Sequence, residues 1–146
     1  FIKKNCSNKI PKMNKMNETD TFLIDKLKND VPNLIELMNN QNLNEYIKKV
    51  VSYSFDANKY FNDSEPWSVK KNDLSRMETI LFTMCEQIRN ISILLNPIIP
   101  NATEKVLDTM NIQKKDIIIN QIHKLGNFDH NKELKKLDIL FNKIEK

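Results

Sequence analysis

The sequence predicts an all-α fold, an antiparallel helical bundle of four to five helices with an irregular C-terminal tail. Three observations predict it. Glycine occurs once in 146 residues, whereas a sheet-rich fold needs glycine at the positive-φ positions of its tight hairpins. Apolar residues recur at three- and four-residue spacing over most of the chain, which gathers them on one side of a helix. Start signals of the Asn/Ser-x-x-Glu type and well-placed prolines punctuate those stripes. The length suffices for one domain with a real core.

The opening twenty residues, FIKKNCSNKIPKMNKMNETD, are basic and polar with no sustained period. They read as the end of a truncated helix followed by a linker. A start at Phe1 in place of methionine predicts a piece of a larger protein. Residues 21–112 read as the bundle and residues 113–146 as a C-terminal extension. Phe22, Leu23 and Leu27 open the first stripe, and Val31, Leu34, Ile35 and Met38 carry a similar one. Pro32 between them is tolerable near a helix start, or else produces a kink. The next helix is plainer. Asn42 is placed to cap it, with Glu45 three residues on. Leu43, Tyr46, Ile47, Val50, Val51, Ala57 and Phe61 then keep helical spacing.

The strongest stripe follows: Met77, Ile80, Leu81, Met84, Ile88, Ile91 and Leu95. Ser75 with Glu78 predicts its capping box, and Pro97 and Pro100 its stop. Asn101 and Glu104 repeat the start signal before Ala102, Val106, Leu107 and Met110. The run IIINQIHKL (117–125) is compatible with strand or helix. A polar loop, GNFDHNKELKK, and a closing segment, LDILFNKIEK, complete the chain.

Composition bounds the function. Hydrophobic residues make up 40% and charged residues 29%, the balance of a soluble globular protein. The net charge is +4 and the pI about 9.0, which permits an anionic partner. No apolar run approaches bilayer length and no secretory signal is present, so no membrane partner is expected. Cys6 and Cys85 lie far apart and match no metal spacing, as for reduced thiols in a cytoplasmic protein.

No catalytic centre is legible. His123 and His130 stand seven apart without nearby cysteines, the pattern of ordinary loop histidines and not of a metal site. A single glycine leaves no phosphate-cradling loop, and no nucleophile–base set or paired carboxylates stand out. KMNKM (12–16) superficially resembles the Lys-Met-Ser-Lys-Ser loop of class I aminoacyl-tRNA synthetases. It lacks both serines and follows no nucleotide-binding fold, so it reads as coincidence.

One residue remains unplaced. Trp67, the only tryptophan, sits in the polar stretch FNDSEPWSVK between two helices. It could staple the inter-helix corner, buried against Phe61. Alternatively it could be an exposed stacking platform: Asp63, Ser64 and Glu65 make the approach polar, Pro66 stiffens it, and Lys70 and Lys71 follow within a turn. An aromatic face with adjacent cations grips an unpaired nucleotide by stacking and phosphate attraction. Local chemistry leaves both open.

A longer pattern bears on the choice. Ala57-Asn58-x-Tyr60 closes one helix and Glu65-Pro66-Trp67 follows it. Glu86-x-x-Arg89, Leu94-Leu95-x-Pro97-x-x-Pro100, and Lys105, Val106 and Leu107 come next. This arrangement resembles the C-terminal anticodon-binding domain of methionyl-tRNA synthetases, class Ia enzymes. Ile139-Leu140-Phe141-Asn142-Lys143-Ile144-Glu145 is similar to that family's Leu-Phe-Pro-Arg-Ile-Glu segment, with Asn142 and Lys143 replacing its Pro and Arg. The resemblance covers about two-thirds of the chain well; residues 1–40 match loosely.

The resemblance implies anticodon binding. Trp67 would stack on the first base of a CAU anticodon and Pro66 would shape the pocket. Lys70 and Lys71 would attract phosphates, an expectation resting on charge alone. An Asn and an Arg that the family uses for the same task would lie just upstream of Phe1. The partners implied are the methionine-accepting tRNA and a catalytic domain of the same protein. That domain would bind ATP and carry the zinc-bearing insertion; this part needs no cofactor and should be inactive alone. Two alternatives stay open. One is the anticodon domain of another class Ia synthetase, such as the cysteine or isoleucine enzyme. The other is a helical protein–protein interaction module with Trp67 in its core.

Overall fold

A computed structural model describes residues 1–141. Its helices are α1 (Ile2–Asn5), α2 (Glu18–Asn39), α3 (Leu43–Ser64), α4 (Pro66–Val69), α5 (Leu74–Leu95) and α6 (Pro100–Thr109). Two short 3-10 turns follow, Lys114–Asp116 and Ile119–His123, and the described residues contain no β-strand. The fold is the expected helical bundle with an irregular tail. Asn142, Lys143, Ile144 and Glu145 lie outside the described residues.

Helix α2 is one continuous element through both of the stripes that flank Pro32. Pro32 lies on the exposed side of the helix, where water can take up the hydrogen bond its ring removes. Its N-terminus carries a capping box that the sequence pattern does not flag. Asn17 Oδ1 accepts from the Asp20 amide at 3.0 Å, and Asp20 Oδ2 accepts from the Asn17 amide at 2.9 Å. A shorter Asp in place of Glu, inside a stretch that reads as linker, hides the signal.

Asn42 caps α3 as expected, accepting from the Glu45 amide at 3.5 Å. The Glu45 carboxylate takes Lys48 instead of closing the box. The cap predicted for α5 is corrected. Asp73 caps it, accepting from the Arg76 amide at 2.8 Å, because the helix starts early enough to place Ser75 inside it. Glu78 accepts from Asn14 Nδ2 at 3.0 Å. The cap predicted for α6 is corrected too: Pro100 occupies its first turn and Ile99 gives no side-chain cap. Glu104 pairs with Lys114 at 3.3 Å.

Helix α5 is the spine, buried on nearly every side. It runs antiparallel to α3, and Tyr46 at the start of α3 donates its hydroxyl to the Leu94 carbonyl at 2.6 Å. Leu27, Val31, Leu34, Val50, Tyr53, Cys85, Ile93, Leu94 and Leu107 meet in the main core. Phe22, in contrast, turns out to solvent at 70% exposure, and Ile88, Leu43 and Val51 are exposed as well. Burial pushes the Cys85 thiol up to about 12, which keeps it protonated and inert.

The apolar run 117–125 is neither strand nor α-helix. Ile122 is fully buried, and Arg89 holds the segment to α5. Its guanidinium donates to the Gln121 carbonyl at 3.0 Å, the Lys124 carbonyl at 2.8 Å and Glu86 Oε1 at 2.6 Å. Glu86 also accepts from the Gly126 amide at 3.2 Å. Gly126, the sole glycine, has φ +69°, and a β-carbon there would meet the Phe82 ring at 3.1 Å.

Candidate nucleic-acid interface

The corner between α3 and α5 is built by its own sequence. A proline disfavours the right-handed helical region for the residue before it. The right-handed helix ends before Glu65, which stands in the left-handed region at φ 42° and ψ 56°. Pro66 starts α4 where its missing N–H has no helical partner to lose. The Glu65 carbonyl accepts from the Ser68 and Val69 amides at 2.8 and 3.0 Å. The Asp73 amide then donates to the Val69 carbonyl at 2.9 Å, closing the corner just before α5.

Pro66 is buried, so the corner is fixed at its base. Trp67 is 43% exposed. Its ring meets Phe61 edge to face, with centroids 5.8 Å apart and planes at 67°. Phe61 and Val69 pack in turn against Leu23, Tyr60 and Ile80. The indole is therefore braced against Phe61 and partly open to solvent. Trp67 is not a fully buried core residue, and the adjacent proline supplies the buried anchor.

A buried polar knot secures the elements on either side. Asp20 is completely buried at the start of α2. It accepts from Tyr60 Oη at the end of α3 and from both terminal nitrogens of Arg76 in α5, the Arg76 Nη2 bond being 2.9 Å. Burial alone would raise the Asp20 carboxyl, but hydrogen bonds from Arg76, Tyr60 and the Asn17 amide outweigh it and hold it below the usual carboxylate range. Burial and the same carboxylate push the Tyr60 phenol well up. The knot stays a carboxylate, a neutral phenol and a guanidinium at physiological pH. The knot ties α2 to the two helices that flank the corner, α3 and α5. None of its members stands out in the sequence as a site residue, because the partners come from three distant segments.

The two lysines diverge. Lys71 is exposed, with no carboxylate in ion-pair range among the described residues. Lys70 Nζ donates to Asn5 Oδ1 at 3.1 Å and stands 5.4 Å from the centroid of the Phe1 ring. Lys70 thus ties α1 to the corner. Elsewhere, His130 Nδ1 lies 3.0 Å from the Ile10 carbonyl, and His123 is exposed on the 3-10 turn. Among the described residues no three His, Cys, Asp or Glu side chains gather as metal donors. No helix of the described residues is long and apolar enough to cross a membrane.

Comparison with known proteins identifies the lineage of this corner. A family profile described as the anticodon binding domain of methionyl tRNA ligase matches residues 10–146. A methionine–tRNA ligase of Brucella suis is 32% identical over 112 residues, 77% of this chain and 22% of that protein. One from Mesorhizobium japonicum is 30% identical over 120 residues, 81% of this chain and 23% of that protein. The chain spans about a fifth of the length of these relatives. Apo Mycobacterium tuberculosis methionyl-tRNA synthetase shares the fold, with a TM-score of 0.90 at 20% identity over 99% of this chain and 30% of that one.

Proposed function

The chain belongs to the anticodon-binding domain family of methionyl tRNA ligase, and on that premise we propose that its α3–α5 corner stacks the first base of a CAU anticodon on Trp67. The observation that carries this reading is the half-open indole on a braced base. A base stacked on an aromatic side chain is worth about 1–3 kcal/mol. That energy is available only if the ring is already held and already exposed. Phe61 and buried Pro66 supply the holding, and Pro66 also sets the shape of the pocket wall. Lys71 is free to approach a phosphate, and the charge of Lys70 adds to the local field.

The whole protein, on this proposal, is a cytoplasmic methionine–tRNA ligase that activates methionine with ATP and transfers it to tRNA. ATP and zinc would be held by the catalytic part of that protein. The role of this domain is recognition. Binding energy gained at the anticodon, remote from the chemistry, selects and orients the tRNA. The test is titration with anticodon stem–loops carrying CAU or a changed first base: a clear preference for CAU supports the reading, and equal affinity contradicts it.

A further inference from the structure

Several lysines of the chain are neutralised where they stand. Lys26 pairs with Asp56 at 2.6 Å, Lys59 with Asp63 at 2.8 Å, Lys49 with Asp30 at 3.1 Å and Lys114 with Glu104 at 3.3 Å. The segments that meet at the Trp67 corner carry lysines without such partners. Lys3, Lys4, Lys15 and Lys71 are exposed, and none has a carboxylate within ion-pair distance among the described residues.

These four come from three separate pieces of chain, and two specific anchors assemble them. The first is Lys70, which grips α1 through Asn5 and Phe1. Asn5 Nδ2 also donates back to the Phe1 carbonyl at 2.8 Å, so the turn bearing Lys3 and Lys4 is held at both ends. The second anchor is Asn14. Its side chain donates to the Ser75 carbonyl at 3.3 Å and to Glu78 at 3.0 Å, and its amide to Thr79 Oγ1 at 3.3 Å. That lays Lys15 beside the first turns of α5, immediately past the corner. Asp73 caps α5 and Glu78 accepts from Asn14, both keeping their charge. Glu65 and Asp73 are exposed acids flanking Trp67.

We propose that the RNA backbone on either side of the stacked base runs over this surface, with its phosphates met by Lys71, by Lys3 and Lys4 on α1, and by Lys15. Lys70 is a positioning residue that keeps α1 in place. The inference rests on the anticodon-binding reading and extends its footprint to the N-terminal segment. Ammonium groups without internal partners are the ones that release counterions from RNA at no cost in broken ion pairs.

The test is the salt dependence of binding of the chain to a fluorescein-labelled CAU anticodon stem–loop. Each phosphate that a variant no longer neutralises flattens the slope of log K against log salt by about 0.7. Lys15→Ala and Lys71→Ala should each flatten it by about that amount, and the Lys3→Ala/Lys4→Ala double variant by about twice as much. A Lys105→Ala/Lys115→Ala control, changing exposed lysines beyond the opposite end of α5, should leave it unchanged. Lys70→Met should weaken binding with the slope retained and speed hydrogen exchange at the Asn5 and Cys6 amides; a flattened slope without faster exchange would overturn the positioning role. Lysine variants that keep the wild-type slope while Trp67→Ala still weakens binding would overturn the footprint and leave the stacking reading intact. Absence of stem–loop binding by the unaltered chain would overturn both.

Discussion

Arg76 and Asp20, 56 residues apart in sequence, form a two-pronged ion pair beneath the Trp67 corner, with the Asp20 carboxylate completely buried. Tyr60 completes the knot from α3. Removing one partner of a buried pair leaves a charge without compensation, at a cost of roughly 3–5 kcal/mol. Arg76 is itself partly exposed, so Arg76→Met should cost about 3 kcal/mol, at the low end of that range. Urea denaturation of the variant against the parent chain measures it, and an unchanged midpoint would show that the knot contributes nothing.

The same carboxylate makes stability pH-dependent. Its folded pKa lies below the unfolded value of about 3.9, so in acid the unfolded chain binds the extra proton. The stabilisation is fully present above about pH 4 and is lost as pH falls through the folded value. Asp30, whose carboxyl is raised by burial but lowered further by Tyr53 and Lys49, acts in the same direction. Tyr60→Phe, which deletes one donor to Asp20, should give a shallower loss of stability between about pH 4 and pH 2. Denaturation midpoints across that range supply the comparison; parallel curves for the two proteins would remove Tyr60 from the account.

Arg89 and Glu86 carry the C-terminal extension. Both side chains are essentially buried, and Arg89 also satisfies two carbonyls of the segment around Ile122. Glu86→Ala should destabilise the chain by roughly 3–5 kcal/mol and release residues 119–126 first. Hydrogen exchange resolves the order: faster exchange at Gly126 than in α5 fits, and uniform change does not.

Trp67 separates affinity from stability. Its exposed face contributes little to folding, so Trp67→Ala should lower the melting temperature only slightly while reducing stem–loop affinity by about 1–3 kcal/mol. Trp67→Phe, which keeps a smaller aromatic face, should fall between. A large drop in melting temperature with affinity retained would favour the corner-staple reading.

Much of this is legible in the chain because its signals are local. Each step of the apolar α5 stripe, its stop at Pro97 and Pro100, and the Asn42 cap lie within one or two helical turns. The corner motif itself, Glu65-Pro66-Trp67, is visible for the same reason. The Asp20 knot is not, since Tyr60 and Arg76 reach it across 40 and 56 residues. Ser75 reads as the α5 cap, yet Asp73, two residues earlier, competes for the same task and wins. The exposure of Trp67 is not legible either. It depends on buried Pro66 and edge-on Phe61, which only tertiary packing fixes. Lys70 reads as a free cation beside an aromatic ring, and nothing nearby in sequence points it back to Asn5.

The most direct measurement uses the single tryptophan as its own reporter. Fluorescence of Trp67 is followed while the chain is titrated with a CAU anticodon stem–loop, and again with a stem–loop whose first anticodon base is changed. Stacking predicts saturable quenching by CAU and markedly weaker binding of the altered loop. Saturable binding by both loops with no change in Trp67 emission would contradict it.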